Sequence, residues 1–252
     1  MNRWSALALL LAIVGALFLR TPNLGNRPLH NDEAINATKL AALWNHGEYK
    51  YDPHEYHGPT LYYFSLPFLQ ASIAKDSTEI TDAKLRIGAV AFGTALILLL
   101  LLLRTGLGNT AVTWAAIFLA VSPAMVFYSR YFIHEILLVF FTLLTLGAGW
   151  RYAQTRKAIW AALTGAGLGL MFATKETFVL TVAALCFALI ATRIWNRWRA
   201  AKSATAAAEI PYRKWTPALP HLATAVGAFA PFTSRIPLKV APVPVVPVRL
   251  MS

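Results

Sequence analysis

Long apolar runs separated by short polar links make up most of this chain. They cover residues 4–19, 86–103, 110–127, 133–150, 158–174 and 177–195. Crossing the hydrocarbon core of a bilayer takes about 17 to 25 largely apolar helical residues. The pattern therefore predicts an all-α polytopic membrane protein with about six transmembrane helices and one long polar loop, residues 20–84, after the first. The run at 61–74 is short, contains Pro67 and begins with Tyr62 and Tyr63. It reads as a helix lying at the membrane interface rather than a seventh span.

Within the loop, Asn31 is placed to cap a helix that opens with Asp32 and Glu33, where acids suit the positive end of the helix dipole. Ala34, Ala37, Ala41 and Trp44 recur at helical spacing with Leu40 alongside, and Gly47 is placed to end the element. This is the pattern of an amphipathic juxtamembrane helix. From Gly47 to Pro59 the chain is rich in turn formers and aromatics, so irregular backbone is expected there.

Residues 1–200 form one transmembrane module; beyond them the pattern fails. The segment 201–252 is basic, and prolines recur among valines from Pro231 to Pro247. Each proline in a helix interior costs about 3 kcal/mol. An extended or disordered tail is expected, resembling a chain cut short with an out-of-frame ending.

Composition agrees with the membrane reading: 57% of residues are hydrophobic and 13% charged, against roughly 25% charged in soluble domains. The net charge of +12 does not point to nucleic acid, because many basic residues flank apolar runs as they do at cytoplasmic membrane faces. The single Cys186 lies within an apolar run and supports neither a disulfide framework nor a metal-binding pair. After the first run, Phe18 to Pro22 lacks the small residues of a signal cleavage site, so that run is read as a retained span. Arg104, Arg151, Arg156, Lys157, Arg193, Arg197, Arg199 and Lys202 fall on one side of the expected topology. That side is then cytoplasmic, as is the N-terminus, and the long loop is extracytoplasmic in a plasma or inner membrane.

The stretch Arg27–Tyr63 is a polar island holding four His, five acids, five Tyr and one Trp. Asp32 and Glu33 sit where a water-soluble acceptor can meet a lipid-borne donor, and the dielectric boundary tunes a carboxylate's basicity toward that of a general base. The plainer reading of the pair is capping and solubility. His54, Glu55 and His57, with His30 and Asp52 nearby, offer ligands suited to a divalent zinc or manganese ion. Their spacing matches no metal template, so the segment is read chiefly as pocket wall, with Tyr51, Tyr56 and His57 toward substrate. Arg130 and His134 share a face at helical spacing, as do Tyr131 and Glu135. Arg130, and Lys175 beside Glu176 between the last two runs, are candidate phosphate-binding cations on the loop's side, with Glu135 as a supporting carboxylate.

Taken in order, these residues resemble the GT-C membrane glycosyltransferases of the protein mannosyltransferase and lipid A aminoarabinose transferase type. The likeness rests on Arg27-Pro28-Leu29-His30-Asn31-Asp32-Glu33-Ala34, Tyr51-Asp52-Pro53, His57-Gly58-Pro59, Arg86, Ser129-Arg130-Tyr131 with Glu135, and Thr174-Lys175-Glu176. The run YDPHEYHGP is similar to a branch termed flippase-associated. The resemblance implies a polyprenyl-phosphate sugar donor, an outward-facing site and inverting transfer without a nucleotide sugar. It also implies Asp32 as general base with Glu33 supporting it, and Arg130 and Lys175 at the lipid phosphate. Membrane lipids and other glycosylation or flippase components are the further partners it suggests. Its main rival is a non-catalytic membrane subunit that helps lipid-linked sugars flip or reach a transferase. A transporter fits less well, because the central runs lack the ionisable residues of an ion pathway.

Overall fold

The computed structural model describes residues 2–47, 49–51, 57–72 and 77–202. The expectations for Asp52, His54, Glu55 and Tyr56, and for the tail from 203 onward, lie outside the described residues. The described chain forms nine α-helices: α1 Arg3–Arg20, α2 Asn31–His46, α3 Thr60–Ala71, α4 Asp82–Leu99, α5 Arg104–Val121, α6 Pro123–Tyr128, α7 Glu135–Thr155, α8 Ala158–Phe172 and α9 Phe178–Lys202. Short 3-10 turns occupy Ser77–Glu79 and Leu100–Leu103. The protein is an all-α membrane protein.

Four helical stretches are long and apolar enough to cross a bilayer: Arg3–Arg20, Asp82–Val121, Glu135–Thr155 and Phe178–Arg199. The second is 40 residues long, about 60 Å if it were straight. It breaks at Gly108, whose φ of 80° and ψ of 167° are not helical. Positive φ is a conformation glycine adopts without steric cost. The two halves run back on one another. Arg86 at the start of α4 meets Glu33, and Ala120 at the end of α5 meets Arg20. In between, Thr105 meets Gln154 and Trp150.

These contacts fix the order of passes. α1, α5 and α8 run toward one end of the bundle, and α4, α7 and α9 run away from it. With the shorter α8 counted, the described residues make the six passes that the apolar pattern predicts. One end therefore gathers the segment after α1, residues 129–134 and the α8–α9 turn.

Local chemistry moves several boundaries. The expected run at 110–127 does not stay one helix, because Ser122 ends α5 and its side chain caps α6, which opens on Pro123. Proline fits the first helical position, where its missing N–H is no loss. The last helix continues to Lys202, beyond the expected 195. α8 is only 15 residues, roughly 22 Å, and packs on α7 through small residues. A Cβ on Gly167 would meet the Thr145 hydroxyl, and one on Gly149 would touch Thr164. Close backbone approach of this kind is how helices associate where lipid offers no hydrophobic drive.

α3 is 12 residues, about 18 Å, and does not cross. It does not lie open on the membrane either. Leu61, Tyr62 and Leu69 are buried, and Phe64 packs on Phe92 of α4 and Phe141 of α7. In α2 the buried stripe is Glu33, Asn36, Leu40 and Leu43, turned from the expected alanine face so that Ala34 is exposed. The protein side of this helix carries a carboxylate and an amide.

Candidate active site

The acid pair at the head of α2 splits into two unlike environments. The cap residue is His30, one position before the expected Asn31. Its ring accepts from the Asp32 N–H while the Glu33 carboxylate accepts from the His30 N–H. This reciprocal arrangement satisfies two of the donors that a helix start leaves open. At helical spacing, adjacent residues diverge by about 100°, so Glu33 turns inward and Asp32 outward.

Glu33 is fully buried. Arg86 clamps it in a two-pronged pair, Nε to Oε1 at 2.8 Å and Nη2 to Oε2 at 2.8 Å. The Phe132 N–H adds a bond to Oε1 at 2.9 Å, and Arg27 approaches Oε2 at 3.4 Å. Burial alone would push this carboxyl up. The hydrogen bonds from Arg86, Phe132 and His30 and the Arg86 charge outweigh it and hold Glu33 below the usual carboxylate range. Arg86 is itself buried and uses its remaining N–H groups on the carbonyls of Leu24, Arg27 and Pro28. One ion pair thus ties the segment after α1, α2, α4 and the entry to α7 together.

Asp32 remains exposed, its side chain 68% accessible and its carboxylate 3.8 Å from the His30 ring nitrogen. Beside it, the Arg27 guanidinium lies 3.6 Å over the Tyr131 ring, a favourable cation–π arrangement. Asn36 extends the inner face by donating to the Phe132 carbonyl and accepting from the Tyr62 hydroxyl.

Residues 129–134 are not helical, so the expected shared faces of Arg130 with His134 and of Tyr131 with Glu135 do not exist. Arg130 turns back to the end of α1 and donates to the carbonyls of Leu19 and Pro22. His134 turns toward Gly58, whose carbonyl accepts from Nε2 at 3.1 Å. Burial first, then the neighbouring His57, pushes His134 down to about 3, so it is neutral at any ordinary pH.

The third group lies at the α8–α9 turn. Lys175 pairs with Glu135, and Glu176 Oε2 lies 3.4 Å from His57 Nδ1. Main-chain bonds from Gly58 N–H to Thr174 and from Thr60 N–H to Ala173 dock the His57 segment onto this turn. Tyr51 is half exposed. Among the described residues, no three His, Cys, Asp or Glu side chains form a metal-ligand set.

The family model described as dolichyl-phosphate-mannose-protein mannosyltransferase matches residues 10–222. The chain belongs to this family. No curated protein and no solved structure matches it. As a member of the mannosyltransferase family it is an integral membrane glycosyltransferase of the kind that uses a lipid-linked sugar. The family match extends past residue 200, where the apolar pattern stops.

Arg20, Asn36 and Tyr62 were not among the expected site residues, yet each holds part of this end of the bundle. Arg20 is the clearest case. It is buried with no acid among its hydrogen-bond partners in the described residues, donating to the Leu119 and Ala120 carbonyls and to Ser129 Oγ. The open carbonyls at the negative end of α5 receive its charge. An arginine at the edge of an apolar run was the available signal.

Proposed function

We propose that this protein transfers a sugar, mannose on the family's description, from a polyprenyl-phosphate donor to an acceptor on the extracytoplasmic side, with inversion and with Asp32 as the general base. The observation that carries this reading is the split of the acid pair. Glu33 is locked in a saturated ion pair, whereas Asp32 beside it is held at a fixed place by the same capped helix and left open to solvent. A base must reach its substrate, and a scaffold must not move.

The reaction needs two things at one end of the bundle. The acceptor oxygen attacks the anomeric carbon as its proton passes to Asp32, while the bond from that carbon to the phosphate oxygen breaks. The departing lipid phosphate gains charge as it leaves, so cations belong near it. Of the cations on this side, Lys175, held by Glu135, and Arg130, whose guanidinium also donates to the Leu19 and Pro22 carbonyls, are the proposed phosphate contacts, with His57 and Tyr51 as further lining. Six passes put Arg104, Arg151, Arg156 and Lys157 at the opposite end, which supports a cytoplasmic assignment there and an outward-facing site here.

Asp32→Asn should abolish transfer of mannose from a short-chain polyprenyl-phosphate mannose while leaving membrane insertion unchanged. Loss of about 10²- to 10⁴-fold is expected for a general base. Full activity in that variant would remove Asp32 as the base, whereas no transfer by the wild type, with the lipid-linked sugar still bound, would favour a non-catalytic subunit that handles lipid-linked sugars. Orientation is checked by cysteine labelling: Asn45→Cys should react only from outside and Ala158→Cys only from the cytoplasm.

A further inference from the structure

The segment around His57 is fixed with unusual thoroughness for a half-exposed side chain. His57 and Lys175 form an antiparallel bridge. The Gly58 N–H donates to the Thr174 carbonyl at 3.1 Å, the Thr60 and Thr174 hydroxyls bond at 2.8 Å, and the Tyr49 hydroxyl donates to the His57 carbonyl at 3.1 Å. His134 donates to the Gly58 carbonyl. Position 58 must be glycine here, since a Cβ would run into the Ala173 carbonyl. The His57 ring then stands edge-on to His134 at 4.9 Å, with Nδ1 buried next to Glu176 and the side chain 35% accessible overall. The open part of the imidazole is therefore its other side.

A carboxylate at one ring nitrogen is the usual device for setting the tautomer and orientation of a working histidine. His134 does not share that role, because burial keeps it neutral and its Nε2 is committed to Gly58. Resting on the transfer reading above, we propose that His57 is the general acid for the departing lipid phosphate, with Glu176 as its positioning residue and Lys175 beside it as a fixed positive charge. As the bond between the anomeric carbon and the phosphate oxygen breaks, that oxygen keeps the electron pair and takes the His57 proton. The acceptor's proton goes to Asp32, and the two carriers later exchange protons with water.

The chemistry suits an imidazole better than an amine. A phosphate monoester loses its second proton near pH 6, close to the ordinary range of imidazole, so the departing dianion is a fit acceptor for an imidazolium proton. Lysine stays charged throughout that range and attracts the phosphate without delivering a proton. Among the described residues, the charged and titratable groups around His57 are His134 on the entry to α7, Glu176 and Lys175 on the α8–α9 turn, the latter paired with Glu135 of α7, and Tyr49 after α2, with the Lys39 charge reaching His134 from α2.

The test uses the full chain in lipid nanodiscs with farnesyl sulfate, a lipid anion whose own charge is constant between pH 5 and 8. Wild-type affinity should fall about tenfold across that range, the scale of one charge-assisted hydrogen bond. His57→Gln should bind without this pH dependence. Glu176→Gln, altering a half-exposed side chain, should weaken binding several-fold while keeping the dependence, because the ring loses its positioning carboxylate. An unchanged pH profile in His57→Gln overturns the assignment and leaves the transfer reading standing. Failure of the wild type to bind either farnesyl sulfate or farnesyl phosphate at any pH removes the lipid-phosphate reading itself.

Discussion

Two ionic clusters stand at the same end of the bundle and are built in opposite ways. Around Glu33 and Arg86 both charges are fully buried, both carboxylate oxygens accept hydrogen bonds, and the guanidinium has partners on three main-chain carbonyls. Around His57, Glu176, Lys175 and Glu135 the side chains are partly open; among the described residues the Nδ1 atoms of His57 and His134 make no hydrogen bond, Glu176 standing 3.4 Å from the first at ion-pair distance only. A saturated cluster resists any change of charge and so serves as a joint. An open one, mounted on rigid backbone, tolerates proton exchange and a ligand. The Asp32–Glu33 dipeptide spans the same contrast within two residues.

The largest effect should come from breaking the sealed cluster. Arg86→Ala leaves the Glu33 carboxylate buried without its partner, and losses of about 3 to 5 kcal/mol are typical of such a change. Thermal unfolding in detergent should show it as a large drop in midpoint, and Arg86→Ala with Glu33→Ala together should recover part of the loss. Recovery of nothing would mean that the carbonyl contacts of Arg86, not the ion pair, hold the joint.

Gly58→Ala should act next, at about 1 to 3 kcal/mol, the usual range for an overpacked contact. Its Cβ meets main chain rather than a movable side chain. It should also loosen the docking of the His57 segment on the α8–α9 turn, read as faster exchange of the Thr60 amide, which donates to the Ala173 carbonyl.

Acid should then separate the two clusters. His134 titrates near 6.5 when unfolded and near 3 in the native protein. Between those values the unfolded chain binds more protons, so stability falls as pH drops from 6.5 toward 3. Glu33, held below its ordinary 4.5, adds a further loss only as pH falls below that value. His134→Gln should remove the loss between pH 6.5 and 4.5 and leave the lower one. A stability curve flat from pH 7 to 4.5 in the wild type would contradict the burial of a neutral His134.

Lys175→Ala should have the smallest effect on stability. Its partner Glu135 is 38% accessible, and pairs open to solvent contribute about 0 to 1 kcal/mol. Binding of farnesyl phosphate should weaken nonetheless. A variant that binds normally but unfolds readily would move Lys175 to the structural side of the comparison.

The sequence by itself determined the class of the protein and much of its layout. Apolar runs of bilayer length leave few alternatives, because every backbone polar group in lipid must be satisfied within a helix. The number of passes and the return of three polar links to one end follow from that. The family followed from residues in fixed order, from Arg27 to Glu176, and the family match bears it out.

The tertiary structure alone decided what each charged residue does with its charge. Which acid of the Asp32–Glu33 pair faces inward depends on a cap at His30 and on an arginine 53 residues away. Whether Arg130 turns toward a ligand or toward the carbonyls of α1 depends on the loss of helix at 129–134. The fixing of His57 depends on backbone pairing with Lys175, far along the chain. Periodicity records which face of a helix avoids water or lipid. It does not record which buried carbonyl or carboxylate from a distant segment arrives to meet a charge, and at this end of the bundle those meetings are what separate scaffold from candidate chemistry.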